Sequence, residues 1–233
     1  PANRVKLARL AGVKALYPVE TIAAPEPGRQ SAISPDLVSA INMTGASAAQ
    51  TAGYSGNGIK VGIIDSGIDI DHPAFGGGGV PGGTTFPTAR VAYGYDFVGD
   101  DYDAGGTGSA LVPVPDPNPD DCGGHGSHVS GIVGGNGGGI RGVAPGVTFG
   151  AYRVFGCNGS TSSEIIVEAL ERAYADGMRV VNQSLGSGRQ WPQYPTAQAT
   201  SRLAAKGVVM VASIGNNGPG GSSPDALFAA GAP

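Results

Sequence analysis

The chain has 233 residues, which fits one large domain with a sizeable core better than two full ones. With 42 glycines, 18 prolines and only 14% charged residues it is a loop-rich compact protein, and its glycine runs lack the three-residue period of collagen. A formal net charge of −4 with four scattered lysines argues against a nucleic-acid or anionic-membrane partner, and no apolar run approaches the roughly 18 residues that span a bilayer.

Residues 1–22 form a small leading unit, with Arg4, Lys6, Arg9 and Lys14 ahead of a strand-like stretch from Val13 to Ile22. Residues 23–40 follow as a connector; its proline-rich part reads as an exposed stretch where a protease could cut. The remaining unit is 41–233. The chain opens at Pro1 and its first methionine is Met43, as expected of a processed or excised piece.

From Lys60 onward, apolar strand-length runs alternate with helical patterns. Val61 to Asp65, Val147 to Phe155, Val180 to Ser184 and Val208 to Ser213 are nearly continuous apolar strands, as expected of parallel strands covered on both faces. Thr161-Ser-Ser-Glu164 has the capping-box pattern ahead of a helix that stops at Gly177, and a second helix runs from about Thr196 to Lys206. The alternation predicts an α/β fold with a largely parallel sheet. In such sheets ligands sit beyond the carboxyl ends of the strands.

Three residues near those ends could carry chemistry. Asp65 closes a buried strand; His125 is flanked by glycines in Cys122-Gly-Gly-His125-Gly-Ser-His128; Asn216 follows another strand in Ile214-Gly-Asn216-Asn-Gly. Taken singly, each has a bland reading as a turn former or a hydrogen-bonded core group. Together, an Asp to orient an imidazole, a His to move a proton and an Asn to hold an oxyanion are what acyl transfer to a serine requires besides the serine.

Here the sequence resembles the subtilisin-like serine peptidases. Val61-Gly-Ile-Ile-Asp65-Ser-Gly is similar to the family's aspartate motif, and His125-Gly-Ser-His128-Val-Ser-Gly to its histidine motif, with Ser127 where Thr is commoner. Val181-Asn-Gln-Ser184-Leu-Gly186 resembles the strand lining the primary specificity pocket, and Ser213-Ile-Gly-Asn216-Asn-Gly-Pro the oxyanion motif. Leu10-Ala-Gly-Val13-Lys-Ala-Leu-Tyr-Pro18 looks like the end of an inhibitory propeptide.

The resemblance implies a three-layer fold, incomplete at its C-terminus, in a secreted endopeptidase that cleaves polypeptide substrates. It assigns Asp65 as orienting acid, His125 as general base and Asn216 as oxyanion donor. Phe155 and Gly156 would border one side of the substrate channel, Phe155 as wall and Gly156 as open backbone, with Ser184, Leu185 and Gly186 opposite. It also implies a Cys122–Cys157 disulfide, the propeptide as a partner, and a missing C-terminal part with an inserted protease-associated domain towards which Leu227 to Pro233 would lead. The family's nucleophile sits in a Gly-Thr-Ser motif, which occurs nowhere in the 233 residues. Its serine is therefore expected beyond Pro233, and this chain alone is expected to be inactive.

No cofactor is implied; calcium stays open, without an identifiable site, because Ala74 and Phe75 follow His72-Pro73 where the family carries a calcium-binding Asp. Asp96, Asp100, Asp101 and Asp103 read as a solvated acidic loop, and Gly137-Gly-Gly139-Ile-Arg-Gly142 as a glycine-rich turn rather than a dinucleotide fingerprint. Two other classes stay open. One is a non-catalytic pseudopeptidase or peptide-binding module. The other is a metal-dependent hydrolase using Asp121, Cys122, His125 and His128.

Overall fold

A computed structural model describes residues 2–25, 37–188, 191–216 and 231–232. Its elements in chain order are α1 (Ala2–Ala8), β1 (Thr21–Ala23), α2 (Leu37–Met43), α3 (Ala46–Thr51), β2 (Lys60–Asp65), β3 (Val91–Asp96), α4 (His125–Gly134), β4 (Asn136–Gly137), β5 (Ile140–Arg141), β6 (Thr148–Arg153), β7 (Ser160–Ser162), α5 (Ser163–Ala175), β8 (Val180–Gln183), β9 (Ser187–Gly188), α6 (Pro195–Ala205), β10 (Val209–Ala212) and β11 (Gly231–Ala232). Five strands pair in parallel in the order β10-β8-β2-β6-β3.

The period of two along each strand splits the core into two layers. Val61 and Ile63 of β2, with Phe149 and Ala151 of β6, enter one buried cluster, against which Val129 and Val133 of α4 pack. Ile64 and Tyr152, from the alternate positions, enter the other, with Ile166, Leu170 and Ala173 of α5 and Leu203 of α6. Helix, sheet and helix thus form three layers, as the strand and helix periods predict. Tyr152, wholly buried with its hydroxyl 2.9 Å from Asp176, has its phenol pushed far above the ordinary range, first by burial and then by that carboxylate.

Several local expectations need correction. Of the stretch from Val13 to Ile22 only Thr21 and Ile22 are strand, within β1, and residues 2–8 are helical. Thr161 caps nothing: it lies in β7, its hydroxyl buried without a partner, and α5 begins at Ser163 with no side-chain cap. The segment serves as a strand instead, because β1 pairs with it. Strand β3 lacks an apolar run, since Tyr93 and Gly94 interrupt it, and it went unrecognised.

Of the four aspartates read as a solvated acidic loop, Asp100 and Asp101 are exposed, whereas Asp96, the last residue of β3, is buried and Asp103 is half-buried. Asp96 is 1% exposed and paired with Arg153 at 3.1 Å, and Asp100 pairs with the same guanidinium at 2.8 Å. Asp103 accepts from Gly105 N, Ser160 N and Ser160 Oγ at 2.6–2.9 Å, and these bonds, the Ser160 hydroxyl foremost, lower its pKa. A loop with few other acceptors uses its carboxylates to satisfy backbone N–H groups. The glycine stretch 137–142 is a tight antiparallel hairpin of β4 and β5. Most of the expected connector, residues 26–36, lies outside the described residues.

Candidate active site

Parallel register brings the ends of β2, β8 and β10 to one edge of the sheet. Ile64 is level with Gln183 and Gln183 with Ala212, so Asp65, Ser184 and the turn leading to Asn216 leave the sheet together. Asp65 is wholly buried. Its Oδ1 accepts the N–H of Ser66 at 2.8 Å. His125 Nδ1 lies 2.8 Å from Oδ1 and 3.0 Å from Oδ2 of the same carboxylate.

The pairing depends on close backbone contact. His125 is the first residue of α4, and Gly126 N donates to Ser66 Oγ at 2.9 Å. A Cβ at Gly126 would run into the Gly67 carbonyl, so only glycine lets the helix approach the end of β2. Burial raises the pKa of Asp65, and the bond to His125 offsets part of that rise. The imidazole pKa is raised in turn, foremost by the bond to Asp65 and against the effect of burial. A carboxylate bonded to Nδ1 selects the tautomer that carries its proton there, leaving Nε2 to accept one from a nucleophile. The His125 side chain keeps 20% of its surface exposed, enough to meet a reactant.

Asn216 lies at the end of the turn beyond β10, where Ser213 N donates to Gln183 O at 3.1 Å, and it is exposed. The rest of its motif, Asn217-Gly218-Pro219, lies outside the described residues, as does Leu227 to Ala230. Cys122 and Cys157 form a disulfide that joins the loop before His125 to the loop after β6. That bond occupies the Cys122 sulfur, and Asp65 occupies Nδ1 of His125, so these two atoms do not converge on a metal.

The expected channel residues differ in their exposure. Gly156 is buried and closed over by the Tyr102 carbonyl, so it is not open backbone. Phe155 is 1% exposed and belongs, with Leu185, to the cluster that contains Ile22. Ser184 is half-buried, accepting from Asn182 Nδ2 at 2.8 Å, and Gly186 is exposed.

A second strand pairing lies further on, where the chain's own N-terminal segment adds to β7. Thr21, Ile22 and Ala23 pair antiparallel with Ser162, Thr161 and Ser160. The ladder is extended by Ser163 N to Glu20 O at 2.9 Å and Ala24 N to Gly159 O at 3.0 Å. Ile22 is wholly buried there, in one cluster with Tyr102, Phe155, Ile166 and Leu185. Tyr102, whose hydroxyl lies 3.2 Å from Ser162 Oγ, went unrecognised in the sequence because it sits in an irregular loop without periodicity. The strand of residues 160–162, buried beneath β1, resembles a helix cap in the sequence alone.

Known proteins resemble this chain over most of its length. The sequence model of the subtilase family, the S8 peptidases, matches residues 56–229. The minor extracellular protease Vpr of Bacillus subtilis strain 168 is 39% identical over 228 residues, covering 95% of this chain and 26% of that protein. Subtilisin Savinase of Lederbergia lenta is 33% identical over 191 residues, covering 81% of this chain and 59% of its own length. Subtilisin DY of Bacillus licheniformis is 35% identical over 178 residues, 74% of this chain and 53% of that protein. The chain therefore spans between about a quarter and three-fifths of these relatives.

Proposed function

The chain belongs to the subtilase family, and from that premise we propose that it forms the acid–base part of a secreted serine endopeptidase. The observation that carries this reading is the buried Asp65 carboxylate holding Nδ1 of His125 at 2.8 and 3.0 Å. His125 takes the proton of a serine through Nε2 and returns it to the leaving amine. Asp65 stabilises the imidazolium formed in between, and the Asn216 amide donates to the oxyanion. No Gly-Thr-Ser lies in the 233 residues, so we place the nucleophile in sequence beyond them and expect the isolated chain not to turn over.

Residues 1–22 are read as the tail of an inhibitory propeptide and 23–40 as the connector cut on maturation. The ladder between 20–24 and 159–163 supports this, since it lays the chain's own peptide on the edge where a substrate would add a strand. Secretion is supported by the extracellular relative and by the disulfide, which persists in oxidising compartments. Among the described residues no helix is long and apolar enough to cross a membrane.

The same strand pairing would serve a module that binds peptides without cleaving them. Fluorophosphonate labelling of the protein from its native source separates the two readings. A labelled band that contains these peptides and runs well above 23 kDa is the expected result. A folded product of any size that takes no label would overturn the endopeptidase reading and leave peptide binding.

A further inference from the structure

His125 opens α4, where the unsatisfied N–H groups of the first turn create a positive end that disfavours imidazolium. Its N-cap, Gly124, has no side chain with which to satisfy them. The acceptor comes from upstream. Asp121 Oδ1 accepts from Gly123 N and Gly124 N, both at 2.8 Å. Its Oδ2 accepts from Ser127 N at 3.0 Å and from Ser127 Oγ at 2.6 Å. Ser127 Oγ in turn accepts the N–H of Asp69 at 2.8 Å, which ties the loop after β2 to the same helix turn.

We propose that Asp121 is a positioning residue for His125: its carboxylate fixes the first turn of the helix that aims the imidazole and supplies, after Asp65, a second negative charge that favours the imidazolium. Asp121 does not touch the reacting atoms; it acts through the ring that does. The charged neighbours on other elements have other engagements. Asp120 accepts the N–H of Ile70, and the Arg153 guanidinium on β6 is directed to Asp96, Asp100 and the Asp120 carbonyl. His128, one turn further along α4, is exposed. Asp65 and Asp121 are the two carboxylates that raise the imidazole pKa, Asp65 the more strongly. Asp65 thus sets the tautomer, while Asp121 neutralises the helix end against which a proton would otherwise have to be held.

The inference rests on His125 being the base, yet its test needs no turnover. The full chain has three histidines, so their ring C–H protons can be followed individually by NMR as pH is varied, with His125→Gln for assignment. The expected result for Asp121→Asn is a lower titration midpoint for His125. The downfield Nδ1 proton of His125 should persist, reporting an intact bond to Asp65. Ser127→Ala, which removes a hydroxyl but no charge, should leave the midpoint where it is. If Asp121→Asn does not fold, Asp121→Glu and Asp121→Gln compare charge with amide at equal length, and the Glu variant should titrate higher. An unchanged midpoint in Asp121→Asn, or equal midpoints in the Glu and Gln pair, would overturn the proposal. A shifted midpoint in a protein that never labels with fluorophosphonate would overturn the endopeptidase reading alone.

Discussion

At the carboxyl edge of the sheet, the ends of β2 and β10 are built to different degrees. Ile63 and Ile64 of β2 are 1% and 0% exposed, and Asp65 beyond them is fixed by Ser66, by His125 and by the close approach of Gly126. On β10, Val209 and Val211 are level with Val180 and Asn182 of β8, and so with Val61 and Ile63 of β2, and must share their face. They are nevertheless 57% and 46% exposed, and Ile214 beyond them is 74% exposed. Helix α4 packs against that face at β2, while nothing described covers it at β10. The Asp65–His125 pair is thus held in place by the chain's own core, whereas Asn216, the proposed oxyanion donor, sits at the end of an edge strand that no described residue covers on this face. Preorganisation is therefore a property of each arm separately.

The largest effect should come from the buried arm. In a preparation that labels with fluorophosphonate, Asp65→Asn should lower kcat on a peptide substrate on the order of 10⁴-fold, because the wrong tautomer is then favoured. Asn216→Ala should cost about 10²–10³-fold, the usual effect of removing one oxyanion donor, with little change in melting temperature. A large fall in melting temperature for that variant would show that the β10 end is packed after all.

Much of this contrast was legible in the sequence. Val61 to Asp65 announces a covered strand with a carboxylate at its end, and the glycines around His125 announce close approach. The hydrophobic pattern of β10 is equally apolar, however, and says nothing about whether a partner layer lies over it. The edge that pairs with β1 is concealed for a different reason. Thr161-Ser-Ser-Glu164 satisfies the local pattern of a helix cap, and only pairing with residues about 140 positions upstream turns it into a strand. Likewise Asp121 is one of two adjacent aspartates in the sequence, and its four bonds depend on how the loop is folded.

Smaller perturbations sharpen the comparison through stability. Gly126→Ala should destabilise by about 1–3 kcal/mol in thermal or urea unfolding, since the new methyl meets the Gly67 backbone. A neutral result would mean that α4 can move away from β2. The bond between Asp65 and His125 adds a pH dependence. The folded imidazole has a raised pKa, so the stability it gains is fully present below the unfolded value of about 6.5 and is lost as pH rises through the folded one. The stability difference between wild type and Asp65→Asn should contain a component that changes over that interval. Turnover, which needs the neutral base, should have its acid limb above about pH 6.5. The smallest effect is expected at the open edge: Val209→Thr and Val211→Thr should each stay within about 0.5 kcal/mol of wild type.

The ladder between residues 20–24 and 159–163 has a kinetic consequence. While the intervening sequence is whole, that peptide is a ligand attached to its own receptor, present at an effective concentration of order millimolar however dilute the protein becomes. An outside peptide must outcompete that local concentration to reach the same edge. In the maturation proposed above, one cut in the connector would turn the attached segment into a separate molecule whose occupancy falls with dilution, so that a single covalent event and the surrounding volume would set the timing of access.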